Sequence, residues 1–101
     1  MRDLLILLQI ITATLLFSQN YLIENTFPNL SFTDPVGIYH ADDGTDRLFV
    51  LEQPGKIKVL DNNQDTDQVD IFLDITLLVD QDGGYTEEGL LDLAFHPNFT
   101  E

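Results

Sequence analysis

Two carboxylates, Glu87 and Glu88, stand directly before a glycine and an apolar run, Leu90-Leu91-Asp92-Leu93-Ala94-Phe95, that ends in His96-Pro97-Asn98. Histidine is the usual proton acceptor near neutral pH. His96, however, precedes a proline that removes a backbone donor and favours a turn, so it reads as a turn residue. His40, between an apolar run and a turn, reads the same way, and Glu87 and Glu88 taken alone read as solvated loop residues. Asp61-Asn62-Asn63-Gln64-Asp65 puts oxygen ligands at the opening positions of an EF-hand calcium loop. The match then fails, because Thr66 replaces the turn glycine and Phe72 falls where the bidentate glutamate belongs, and a solvated loop is expected. Asp80-Gln81-Asp82-Gly83 is too short to define a cation loop. No phosphate-binding glycine loop, Cys/His metal set or nucleophile triad is visible. Asn29-Leu30-Ser31 and Asn98-Phe99-Thr100 fit the N-glycosylation pattern, which carries meaning only in a eukaryotic secretory host.

The elements that would hold these residues read as short strands. Val36-Gly37-Ile38-Tyr39-His40, the turn residues Asp42-Asp43-Gly44-Thr45-Asp46 and the β-branched and aromatic run Arg47-Leu48-Phe49-Val50-Leu51-Glu52 predict a hairpin. Gln53-Pro54-Gly55-Lys56 predicts a type II turn with positive φ at Gly55, and Ile57-Lys58-Val59-Leu60 a third antiparallel strand. After a polar loop, 61–68, the alternation of Val69-Asp70-Ile71-Phe72-Leu73-Asp74-Ile75 predicts a fourth. The nearly continuous run 90–95 predicts a further strand covered on both faces. Residues 19–33 are broken by Phe27-Pro28-Asn29 and read as an extended arm. Nothing reads as a helix of useful length, and no internal repeat is found. Short strands with a turn between each pair predict an all-β sandwich, barrel or propeller.

Residues 1–18 stand apart from the fold. Arg2 precedes an apolar stretch, Leu4-Leu5-Ile6-Leu7-Leu8 through Leu15-Leu16-Phe17, that ends at the small residue Ser18, the pattern of a secretory signal peptide cleaved near Ser18 or Asn20. A transmembrane anchor is the alternative, but the stretch is interrupted by Gln9, Thr12 and Thr14 and falls below the ~20 apolar residues of a spanning helix. Removing Arg2 and Asp3 with the leader leaves the net charge at −14. That balance argues against nucleic acid and anionic membrane surfaces as partners. With no cysteine there are no disulfides to bear on compartment.

Asp34-Pro35-Val36-Gly37, Asp46-Arg47-Leu48-Phe49-Val50-Leu51-Glu52-Gln53-Pro54-Gly55-Lys56-Ile57, Phe72-Leu73-Asp74-Ile75 and Gly89-Leu90-Leu91 through Ala94-Phe95-His96-Pro97 together resemble, in order and spacing, the opening of the soluble quinoprotein glucose/sorbosone dehydrogenase family. The resemblance implies an all-β, six-bladed β-propeller, with residues 34–101 as the first blade and the start of the second, about one and a half blades at the N-terminal end of a larger exported protein, periplasmic or extracellular. It implies pyrroloquinoline quinone and calcium as cofactors, a sugar substrate oxidised at its anomeric hydroxyl and a separate electron acceptor, with no membrane insertion once the leader is cleaved. The catalytic base and calcium ligands would lie beyond these residues. Where the family often has a cofactor-touching Gln, two positions before the glycine, this chain has Glu87. A carboxylate facing the quinone's carboxylates is repelled unless it is protonated or shares a cation; Glu87 could instead orient a sugar hydroxyl or a bound ion. That departure supports an alternative, a non-catalytic extracellular propeller of the Hedgehog-interacting kind that binds protein or glycan. A blade hides its faces only against neighbours, so 19–101 alone should leave Leu48, Val50, Leu90 and Phe95 uncovered.

Overall fold

The computed structural model describes residues 19–79 and 87–99; the expected signal peptide (1–18), the expected acidic loop (80–86) and residues 100 and 101 lie outside the described residues. Four strands follow one another, β1 (Pro35–His40), β2 (Arg47–Glu52), β3 (Lys56–Asp61) and β4 (Asp70–Asp74). They form one antiparallel sheet in the order β1-β2-β3-β4, so every connection joins neighbours. No helix among the described residues is long and apolar enough to cross a membrane.

Strand alternation divides the sheet into two faces. On one, Phe49 and Leu51 stand beside their cross-strand partners Tyr39, Val59 and Ile57. Phe49, Leu51 and Ile57 are the buried core of this face. On the other, Leu48, Val50 and Glu52 stand beside Ile38, Leu60 and Lys58.

Each connection has a local cause. In the β1–β2 loop Asp42 and Gly44 adopt positive φ (55° and 84°). Asp43 accepts from the Thr45 N–H and hydroxyl and from Arg47, which closes the loop. The β2–β3 turn differs from the predicted one. Gly55 does take a positive φ, 124°, but its N–H donates to the Glu52 carbonyl at 2.9 Å, and Glu52 pairs with Lys56. The turn therefore starts at Glu52, one residue earlier than a type II turn on Gln53–Lys56, and leaves a three-residue connection. Two ladder irregularities, between Pro35 and Gly37 and opposite Ile57–Lys58, are bulges. The second lets Phe72 reach Phe49, with ring centroids 5.1 Å apart.

Residues 90–95 correct the expectation of a strand buried on both faces. No strand forms there; Leu93 and Phe95 are half-buried while Leu91 and Ala94 are exposed. The segment has cover on one side only, where Leu90, Leu93 and Phe95 pack on the Phe49 core. Leu90 N–H donates to the Gln53 C=O at 2.9 Å and ties the segment to the β2–β3 turn. The predicted turn at His96-Pro97-Asn98 is present, closed by Phe99 N–H on His96 C=O. Phe95 and Phe99 join Phe49 and Phe72 in one aromatic cluster.

The 19–33 arm carries no regular element but covers the opposite face. Its turn is closed by Leu30 N–H on Phe27 C=O, and Phe27, Leu30 and Phe32 line a groove with Ile38 and Leu48. Phe32 receives Lys58 over its ring at 5.7 Å. On that face Val50 is buried and Leu48 half-buried, while Leu90 and Phe95 are half-buried against the Phe49 core on the other. The segment covers more of its own sheet than a lone blade was expected to.

Candidate functional site

Glu87 and Glu88 are exposed at the start of the C-terminal segment, against the β2–β3 turn. The Gln53 side-chain amide donates to the Glu88 carbonyl at 3.1 Å, and Leu90 donates back to the Gln53 carbonyl. Gly89 between them has φ 154°, and a Cβ there would sit 2.5 Å from the Gln53 carbonyl oxygen. Only glycine permits this approach, and it fixes where the two carboxylates leave the sheet.

A quinone bearing carboxylates needs cations at such a place. The described residues include three, Arg47, Lys56 and Lys58. Arg47 is paired with Asp43 and Lys58 with Glu52, both at 2.9 Å. Lys56 lies near Asp74, whose pKa is held below its ordinary value by bonds from the Thr76 N–H and hydroxyl and, more weakly, by the Lys56 charge. Two adjacent glutamates at this place would repel a quinone's carboxylates unless they were protonated or shared a cation.

The other sequence candidates have structural employment. His40 Nδ1 accepts the Asp42 N–H at 3.2 Å while Nε2 lies 3.0 Å from the Thr45 carbonyl. With Nδ1 as acceptor, Nε2 is the ring's donor to that carbonyl, and the two contacts pin the loop. His96 Nδ1 accepts the Asn98 N–H within its own turn. In the 61–65 loop the Asn63 side-chain oxygen caps the Asp65 N–H at 2.9 Å. Among the described residues no three His, Cys, Asp or Glu side chains converge to hold a metal. An open depression of about 710 Å³, lined by Thr45, Asp46, Arg47 and 61–64, lies at the end of the sheet opposite Glu87.

Three polar clusters escaped the sequence reading. Glu52 is 3% exposed and is satisfied by Lys58 and by the Thr33 N–H of the arm. Asp43 is lowered from its ordinary 3.8 to about 2, first by the Thr45 hydroxyl, then by the Thr45 N–H and Arg47. The Tyr39 hydroxyl donates to Asp92 at 2.6 Å. That bond is the main reason the phenol is raised and the carboxyl lowered. The Asp43–Arg47 spacing within one turn was a usable signal; nothing local joins Tyr39 to Asp92.

Among the described residues no nucleophile, base and electrophile are brought together. What the arrangement presents is an acidic, solvent-facing end on a sheet whose central strands are covered while Ile38 and β4 remain exposed. Over 71 aligned residues the chain is 49% identical to Hedgehog-interacting protein of Homo sapiens and 46% identical to Hedgehog-interacting protein of Mus musculus. The match takes in 64% of this chain and 9% of each relative's length. No family profile matches the chain, and no solved structure matches it.

Proposed function

We infer that this chain contributes the opening blade of an exported, non-catalytic β-propeller that binds a protein partner, of the kind the name Hedgehog-interacting protein describes. The observation that carries the reading is the near-50% identity to that protein. The four-stranded antiparallel meander supports it, being the unit from which propeller blades are made. On this reading β1–β4 are the first blade, and the segment carrying Leu93 and Phe95 opens the second. The acidic surface suits a basic partner, because charge complementarity speeds encounter and suppresses wrong partners. The dehydrogenase resemblance remains the competing proposal, and the carboxylate of Glu87 at the family's cofactor-touching position weighs against it.

The deciding experiment uses the secreted full-length protein. Surface-based binding to a Hedgehog signalling protein is measured alongside quinone and calcium reconstitution with an aldose panel. Saturable, salt-sensitive binding without sugar-dependent dye reduction is expected. Quinone retention with sugar oxidation, and no Hedgehog binding, would overturn the reading.

A further inference from the structure

Asn29 lies in the turn closed by Leu30 N–H on Phe27 C=O. Within that turn Phe27 and Leu30 are half-buried, whereas Pro28, Asn29 and Ser31 are exposed. The apolar residues thus hold the arm to the sheet while the acceptor amide and the hydroxyl two residues on both face solvent. The residue between them is Leu30, not proline, so the acceptor pattern is complete. The Asn29 side-chain nitrogen donates to the Asp65 carbonyl at 3.2 Å, an exposed contact.

We propose that Asn29 is an N-glycan acceptor, modified by an oligosaccharide carried on a polyprenyl diphosphate during export through a eukaryotic secretory pathway. The inference rests on the export reading above, and the eukaryotic route is supported by the mammalian origin of both relatives. In the transfer, the bond between the sugar's anomeric carbon and the diphosphate oxygen breaks and a bond from that carbon to Asn29 Nδ2 forms. The nitrogen gives up one proton to a base of the transferase, and polyprenyl diphosphate leaves. The substituted amide keeps one N–H, enough for the single bond it donates to Asp65. The glycan therefore fits the folded arm, with its mass directed away from the sheet. It marks the arm's outer side as open to solvent in the finished protein. Asn98 is a poorer candidate: its neighbour Phe99 is packed in the aromatic cluster.

The full-length protein is expressed in cultured animal cells with its own leader and, in parallel, with a proven leader in its place. The secreted product is treated with a peptide N-glycosidase and mapped by mass spectrometry, which reads a formerly glycosylated Asn29 as aspartate. Conversion at Asn29, absent in Asn29→Gln and in Ser31→Ala but retained in Asn98→Gln, is expected. Ser31→Ala leaves the Asn29–Asp65 contact in place, so loss of the glycan there is not a folding failure. Secreted wild-type protein with Asn29 unconverted overturns the proposal under either leader. Retention in the cell with the protein's own leader, together with conversion under the proven one, overturns the export reading and supports the acceptor.

Discussion

Gly89 and Gly44 both take positive φ, 154° and 84°, but only Gly89 is crowded: a Cβ there would sit 2.5 Å from the Gln53 carbonyl oxygen, and one at Gly44 would meet nothing within 4 Å. Gly44→Ala should therefore cost only the left-handed conformation, about 1–2 kcal/mol for an L-residue. Gly89→Ala should add displacement of the segment from Gln53. That would break the Leu90–Gln53 and Gln53–Glu88 bonds, each of net worth about 0.5–1.5 kcal/mol. The expected excess of Gly89→Ala over Gly44→Ala is the sum of the two, about 1–3 kcal/mol. Urea unfolding gives the two stabilities, and hydrogen exchange at the Leu90 amide gives the mechanism. That amide should lose protection in Gly89→Ala and keep it in Gly44→Ala. Equal costs for the two substitutions, with Leu90 still protected in both, would refute the close-approach argument.

Phe49 is fully buried at the centre of an aromatic cluster, so Phe49→Ala should destabilise the fold by about 3–5 kcal/mol in the same urea assay. Asp43 has a folded-state pKa depressed from 3.8 to about 2, so its stabilising contribution is present above its ordinary pKa and fades as pH falls toward the depressed one. In Asp43→Asn that part of the acid dependence should vanish, read as a flatter unfolding midpoint against pH across this window.

β2 falls where the sequence predicts it, because six residues of aromatic and branched type sit between two turn clusters. β1 and β3 each begin one residue sooner, since Pro35 and Lys56 both find a partner in Glu52. That pairing depends on the turn, not on the propensity of either residue. The 90–95 run misleads because apolar content says how much surface a segment seeks to bury, not from which side cover arrives. Here it comes only from the Phe49–Leu51–Ile57 face of the sheet, and Leu91 stays exposed. Glu52 reads as a strand-end charge, yet the register sets it diagonally across from Lys58, and the arm closes over it. Tyr39 and Asp92 are 53 residues apart, beyond the reach of any local pattern.

The two coverings of the sheet come from opposite ends of the chain, and this sets an order during synthesis. The arm has left the ribosome before β1, so Thr33 can meet Glu52 after only 19 further residues, as soon as β2 emerges. Phe49 must wait for Phe95, with Tyr39 and its partner Asp92 separated by 53 residues. At roughly 5–20 residues per second, one side of the nascent sheet meets its covering arm early while the Phe49 side stays bare for a time on the order of seconds. Chaperones that hold unfinished chains should therefore engage this protein on its aromatic side.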